Sequence, residues 1–186
     1  MRVIAGSARR LTLVTPKGNN TRPTSDKVKE TLFNILAGEL SDINFLDLFA
    51  GSGGIGIEAL SRGASHCTFV EKDKSAVAAI RRNIATTHFE EQSTIYPYDV
   101  MSCLHTIDAG EGFDIVFMDP PYGCGLEKDV LTILAGSDII KEDALIIAEA
   151  SSDTSFDYLP QLGFAVSRVK DYRNNKHVFI VNKERI

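Results

Sequence analysis

The apolar positions of this chain change rhythm twice. Near the start, residues 2–5 alternate weakly as a short strand, and Leu11-Thr12-Leu13-Val14 can pair with it across a turn at Ser7–Arg10. Residues 16–20, Pro-Lys-Gly-Asn-Asn, form a loop by their turn chemistry. Arg22-Pro23-Thr24-Ser25-Asp26 reads as a helix start, with Thr24 or Ser25 as the cap and Asp26 in the first turn. Val28, Leu32, Ile35 and Leu36 form one helical stripe that stops near Gly38. Strand and helix then alternate. Apolar strands are predicted at 45–49, 67–70, 94–96, 115–118 and 144–148, with helices through Leu60, over 75–87, 101–107 and 126–134. The last stretch differs again: 164–169 and 177–181 alternate apolar and polar and are joined at Asn174-Asn175, a hairpin with no helix between its strands.

Near-continuous apolar strands separated by helices imply an α/β fold with a doubly wound parallel sheet. The closing hairpin puts an antiparallel edge on that sheet. The chain is expected to be one domain, residues 1–186, with a hairpin-and-helix extension over 1–38 and the core over 39–186. Ligands of such sheets sit at the carboxyl ends of the strands. Gly51, Glu71, Asp99 and Asp119 all lie just past predicted strand ends and are expected to meet along one rim.

Composition removes several classes of protein. A hydrophobic share of 44% with 24% charged residues is that of a globular chain, and no apolar run approaches a membrane span. The N-terminal residues lack an apolar leader core, so a cytoplasmic location is expected. Cys67, Cys103 and Cys124 are odd in number and form no C-x-x-C pair, which points to reduced thiols and neither a disulfide framework nor a zinc knuckle. His66, His88, His105 and His177 lack ligand spacing and are expected to be solvated or capping; no metal is expected. Charge is uneven. The chain carries −5 in total, yet residues 1–30 hold seven basic side chains, Arg2, Arg9, Arg10, Lys17, Arg22, Lys27 and Lys29, against Asp26 and Glu30. A basic end on an acidic body is the pattern of a phosphate-facing patch.

The chemistry concentrates at the rim. Gly51-Ser52-Gly53-Gly54-Ile55-Gly56 contains G-x-G-x-x-G between a strand and a helix, where glycines let a ligand approach backbone N–H groups. Asp47, four residues earlier, is awkward beside a pyrophosphate but suits a ligand with an ammonium group, such as the methionine end of S-adenosylmethionine. Glu71 can accept from two ribose hydroxyls and Asp99 from an adenine amine. Together the three carboxylates favour S-adenosylmethionine over a nicotinamide cofactor. Asp119-Pro120-Pro121-Tyr122 completes the set. The Asp119 carboxylate and the Pro120 carbonyl can each accept one N–H of a planar amine, and Pro121 fixes the backbone that aims them. Tyr122 can stack on a base swung out of its helix, a contact of roughly 1–3 kcal/mol.

These stretches resemble a known family. Asp47-Leu48-Phe49-Ala50-Gly51-Ser52-Gly53, Val70-Glu71-Lys72-Asp73, Asp99 and Asp119-Pro120-Pro121-Tyr122 are similar to the successive motifs of class I, Rossmann-like S-adenosylmethionine-dependent amino-methyltransferases. Arg2-Val3-Ile4-Ala5-Gly6, Arg22-Pro23-Thr24 with Lys29-Glu30-Thr31-Leu32-Phe33-Asn34, and residues 56–64 (GIEALSRGA) resemble the RsmD family, bacterial small-subunit rRNA guanine-N2 methyltransferases. The resemblance runs from residue 1 to about 150 and loosens in the closing hairpin. It implies a seven-stranded methyltransferase sheet. It also implies that Asp47, Gly51 and Gly53 hold the methionine end, with Phe49 and Ser52 in the same motif. By the same resemblance Glu71 holds the ribose with Lys72 beside it among the cofactor-binding residues, Asp99 and Val100 frame the adenine, and Thr24 and Arg22 border the cofactor. Asp119, Pro120, Pro121 and Tyr122 receive the target amine.

The implied partner is 16S rRNA, in a small ribosomal subunit or an assembly intermediate, met by a monomer. Arg2, Arg9, Arg10, Lys17 and Arg22 would grip its phosphates. The chain has no room for a separate target-recognition domain, so the substrate's own fold, or its bound proteins, is expected to present the base. Two other readings use the same residues. One is adenine-N6 methylation of DNA or RNA through the same amine clamp. The other is a non-catalytic S-adenosylmethionine-binding protein, which would have no use for that clamp.

Overall fold

The structure, a computed structural model, describes residues 1–16 and 25–185. It divides into two compact units, Met1–Val100 and Met101–Ile186. Five helices and seven strands make the frame: α1 Asp26–Ile35, β1 Asn44–Leu48, α2 Gly54–Ser61, β2 His66–Val70, α3 Lys74–Thr87, β3 Ser93–Tyr96, α4 Val100–Leu104, β4 Phe113–Met118, α5 Leu126–Ala135, β5 Ile140–Ser151, β6 Phe164–Asp171 and β7 Asn175–Asn182. The strands form one mixed sheet in the order β3-β2-β1-β4-β5-β7-β6, so the seven-stranded α/β fold with its antiparallel end is as expected. Among the described residues no helix is long and apolar enough to cross a membrane.

In the first unit β1, β2 and β3 run parallel, with Asn44 opposite His66 and Cys67 opposite Ser93. Phe45, Leu46, Leu48, Cys67, Phe69 and Val70 are wholly buried, because helices cover both faces of a parallel sheet. The helix ends follow local chemistry. Ser25 Oγ accepts the Val28 N–H at 3.3 Å to open α1, and the Asp73 carboxylate accepts the Ala76 N–H at 2.8 Å to open α3. The N-terminal hairpin is reduced to one antiparallel bridge, Arg2 with Thr12. Gly6 and Arg10 adopt left-handed backbone there and curl the segment before a longer ladder can form.

The buried stripe of α1 is Lys29, Leu32 and Phe33, continued by Leu36 at its C-terminal cap, and is shifted from the predicted one; Val28 and Ile35 are only half-buried. Lys29 is fully buried and sits 3.1 Å from Glu58 of α2, itself fully buried. It therefore leaves the basic patch counted from the sequence. Burial pulls the Lys29 ammonium below its ordinary range, and the Glu58 charge and hydrogen bond oppose that shift.

In the second unit β4 and β5 are parallel, while β5–β7 and β7–β6 are antiparallel. β5 is longer than its apolar run: Ile140–Asp143 precede the predicted start, and Phe113 pairs with Ile140 ahead of a register shift. α4 begins and ends earlier than expected, at Val100 and Leu104.

Candidate active site

In the first unit the chain leaves β1 through a strained turn. Phe49 has φ +60°, a left-handed conformation that bulky residues rarely adopt, followed by Gly51 at +55° and Gly53 at +76°. Four hydrogen bonds hold it. Ala50 N–H donates to the Val70 carbonyl and Gly53 N–H to the Ala50 carbonyl, at 3.0 and 2.8 Å. Gly51 N–H donates to Glu71 Oε2 at 2.8 Å, and Gly56 N–H to Asp47 Oδ2 at 2.9 Å. The glycines serve different ends. A Cβ on Gly54 would lie 2.3 Å from Met1 Sδ and one on Gly56 2.4 Å from Phe69 Cε1, so those two allow packing. A Cβ on Gly51 would meet nothing within 4 Å, so this turn faces open space.

The sequence-predicted cofactor residues gather around that opening in two tiers. Asp47 is buried beneath the turn and fixes the start of α2, instead of standing in the opening itself. Ser52 is buried, with its carbonyl accepting from Asn83 Nδ2 at 2.9 Å. Glu71 is half-buried and uses its second oxygen, Oε1, for the Asp73 N–H at 2.8 Å. A carboxylate offers about four acceptor positions, so Glu71 shapes the turn and can still receive ligand hydroxyls. Asp99 pairs with Lys72 at 3.2 Å in solvent, and Val100 is buried beside it. Open space over Gly51, bordered by carboxylates at consecutive strand ends, fits an adenosine that carries a cationic amino-acid end. Thr24, Lys17 and Arg22 lie outside the described residues.

Of the basic residues assigned to RNA, Arg9 and Arg10 are exposed, while Arg2 is exposed but paired with Asp26 at 2.9 Å. The segment that carries them is fixed to α2. Glu58 accepts Ile4 N–H at 2.8 Å and Ala5 N–H at 3.0 Å, and Ser61 Oγ accepts Ala8 N–H at 3.0 Å.

In the second unit β4 delivers Asp119 to its carboxyl end, half-buried, with Pro120 buried and Pro121 exposed after it. Tyr122 is 47% exposed, so part of it can meet a ligand, yet its hydroxyl is tethered to Glu149 Oε1 at 3.1 Å. Glu149, on β5, gathers more donors. Asn175 Nδ2 donates to Oε1 at 2.5 Å, and His177 Nε2 lies 3.0 Å from Oε2. His177 is completely buried, with Tyr172 OH 3.3 Å from its Nδ1 and the Phe117 ring edge-on at 5.9 Å.

The electrostatics follow from this crowding. Burial, and then the Glu149 charge, push the Asp119 carboxyl up to about 7. Burial also pushes Glu149 upward, but the hydrogen bond and charge attraction of His177, with hydrogen bonds from Asn175 and Tyr122, outweigh it and hold that carboxyl below its ordinary range. The Tyr122 hydroxyl is raised by burial and by the Glu149 and Asp119 charges, so it stays a donor. Two neighbouring carboxyls are thus pushed apart in proton affinity.

Glu149, Asn175, His177 and Tyr172 were not among the sequence candidates. Their one signal was a carboxylate at position 149 interrupting the apolar run 144–150. His177, expected to be solvated or capping, is a buried partner of that carboxylate. Among the described residues no group of three or more His, Cys, Asp or Glu side chains is placed to hold a metal ion.

The same fold occurs in a solved Escherichia coli structure, yhhF, provisionally assigned as a methyltransferase. It is 32% identical, with a TM-score of 0.83 over 97% of this chain and 96% of that one. The fold and this likeness together define a Rossmann-like methyltransferase. Residues 1–181 match the family described as "Conserved hypothetical protein 95". Ribosomal RNA small subunit methyltransferase D of Haemophilus influenzae is 37% identical over 154 residues, 82% of this chain and 80% of that protein. The Escherichia coli K12 protein of the same name is 36% identical over 160 residues, 86% of this chain and 79% of that protein. The chain belongs to the RsmD family.

Proposed function

We propose that this protein transfers a methyl group from S-adenosylmethionine to the exocyclic N2 amine of a guanine in 16S rRNA. The observation that carries the reading is the turn Asp119-Pro120-Pro121-Tyr122: a half-buried carboxylate, a backbone fixed by two prolines, and a partly exposed tyrosine held by its hydroxyl tether. Membership of the RsmD family, whose relatives are named for methylating small-subunit rRNA, supports the choice of substrate.

The residues divide the work. Phe49, Gly51, Ser52 and Gly53 shape the turn over which the cofactor lies, with Asp47 beneath it supplying negative charge and fixing α2. Glu71 and Lys72 attend the ribose, and Asp99 and Val100 the adenine. Thr24 and Arg22 are assigned to the cofactor border. S-adenosylmethionine supplies an electrophilic methyl group on a sulfonium, a good leaving group. The guanine amine is a poor nucleophile because its lone pair is delocalised into the ring. Asp119 and the Pro120 carbonyl each accept one of its N–H groups and turn the nitrogen lone pair out of the ring plane, toward attack. Tyr122 stacks on the extruded base. An Asp119 carboxyl that titrates near neutrality can accept the proton the methylated nitrogen must lose. Arg9 and Arg10, with Arg2, Lys17 and Arg22, contact rRNA phosphates, and the protein acts as a cytoplasmic monomer on the small subunit or its precursor.

The test uses labelled S-adenosylmethionine and small subunits, or their RNA, from a strain lacking the enzyme, followed by digestion and identification of the labelled nucleoside. N2-methylguanosine is the expected product. N6-methyladenosine would move the same clamp to adenine, and no transfer would leave a binding protein.

A further inference from the structure

The closing hairpin reverses the charge of the unit that carries the amine clamp. Residues 101–163 hold twelve acidic side chains against two basic ones, Lys128 and Lys141. Residues 164–176 hold four basic ones, Arg168, Lys170, Arg173 and Lys176, against Asp171 alone. Arg168, Lys170 and Arg173 are exposed, and among the described residues none of the three forms an ion pair. Lys170 Nζ lies over the Tyr172 ring, 5.9 Å from its centroid. A cationic tip on an otherwise acidic unit is set apart for an anion.

Its position is fixed relative to the clamp. Lys170 lies opposite His177 in the β6–β7 ladder, and His177 lies opposite Glu149 in the β7–β5 ladder. One cross-strand row therefore runs Lys170, His177, Glu149, and Glu149 holds the Tyr122 hydroxyl. Strands in a sheet are spaced about 4.8 Å, so the cationic edge stands about 10 Å from the residue that aims the clamp. A shift in ladder register after Val166 places Arg168 opposite Phe179, and with Lys170 two residues on, both side chains share one face. The tip is also rigid. Lys176 Nζ donates to the carbonyls of Ser152 and Thr154 at 3.1 and 2.8 Å, Tyr172 N–H donates to the Asn175 carbonyl at 2.8 Å, and Asn175 donates to Glu149. A pre-ordered cationic edge loses little entropy when a ligand docks.

We infer that the β6–β7 edge, through Arg168, Lys170 and Arg173, is an RNA-docking surface that grips phosphates flanking the target base. The inference rests on the proposed rRNA methylation. The hairpin fixes where the sugar–phosphate chain runs, and the Glu149 row sets that position against Tyr122. An RNA strand fits this edge because phosphates recur along it, whereas a single small anion would use one cation. An acidic face of a ribosomal protein is the rival occupant.

The test is the triple variant Arg168→Glu, Lys170→Glu, Arg173→Glu, with circular dichroism and thermal unfolding confirming the fold. Binding to an in vitro transcript of small-subunit rRNA is measured from low to high salt. Loss of three phosphate contacts should flatten the log–log salt dependence by about 2, at about 0.7 per contact on single-stranded RNA. KM for RNA should rise about 10-fold or more near 0.15 M salt, while kcat at saturating RNA stays within about 2-fold. Unchanged affinity and slope would overturn the inference. So would normal methylation of naked transcript combined with a defect confined to protein-bearing subunits, which would assign the edge to a protein. Failure of the functional reading looks different, since the unaltered protein itself would then yield no N2-methylguanosine.

Discussion

Glu58 in the first unit and Glu149 in the second each collect three or more hydrogen bonds. Their surroundings differ. Glu58 is fully buried and receives two backbone N–H groups, Lys29 and Arg62. All its partners are structural: it fastens residues 4–5 to α2 and neutralises a buried ammonium. Glu149 receives Tyr122, Asn175 and His177, none of them backbone, and Tyr122 is partly exposed. It also bears on Asp119. A carboxylate whose donors are backbone groups and basic side chains is holding the fold. One whose donors are all side chains, one of them partly exposed, beside a second carboxyl of raised proton affinity, is holding a site.

The largest expected effect is on the structural side. Glu58→Ala would leave the Lys29 ammonium buried without its counter-charge, and removing one partner of a buried pair costs about 3–5 kcal/mol. Urea unfolding should show that loss. The transfer rate per folded molecule should stay within about 2-fold of the unaltered protein, and a collapse of that rate would erase the contrast between the two glutamates.

On the site side, Asp119→Ala should cost transfer at least about 10²–10³-fold, the scale of a lost pre-aimed hydrogen-bonding group, while S-adenosylmethionine affinity survives. An equal fall in cofactor affinity would remove Asp119 from its assigned place. Asp119 also sets a pH dependence. Its carboxyl is raised from 3.8 to about 7, by burial first and Glu149 second, so the folded chain keeps a proton that the unfolded chain has released. The penalty against folding therefore builds as pH rises from 3.8 to about 7, is complete above about 7, and vanishes below the unfolded value. Asp119→Asn should stabilise the fold by roughly 1–3 kcal/mol at pH 8 and leave it nearly unchanged below pH 4. Transfer needs the ionised acceptor, so the rate should climb through pH 7. Glu149→Gln removes the second cause and should move that midpoint down; a midpoint that stayed in place would uncouple the two carboxyls.

Legibility in the sequence followed range along the chain. The alternation of apolar runs and helical stripes announced the parallel strands, and Asp119-Pro120-Pro121-Tyr122 was readable because its parts are adjacent. What failed to show were features made by register. Glu149 and His177 are 28 positions apart and meet only because β5 and β7 pair antiparallel with those two residues opposite. Lys29 read as one more surface cation because its partner, Glu58, lies on another helix. The first residues of β5 carry a polar pattern, Lys141-Glu142-Asp143, and are strand only because a backbone ladder recruits them.

The smallest effect tests the contrast most directly. Tyr122→Phe keeps the ring and deletes the hydroxyl that reaches Glu149. A hydrogen bond of this kind contributes about 0.5–1.5 kcal/mol net. If its task is to hold the ring at the stacking angle, the change should appear as a rise of about 2- to 10-fold in KM for RNA, with kcat little altered. Glu149→Gln, measured at pH 8 where Asp119 is mostly ionised, should give a similar rise because it weakens the same tether. The double variant should then be no worse than the more affected single one, since each change removes one end of a single interaction. Additive losses would mean that Glu149 acts on RNA binding by a route that bypasses Tyr122. Glu149 would then be, like Glu58, a carboxylate that serves the fold, and the ring of Tyr122 would owe its angle to the two prolines alone.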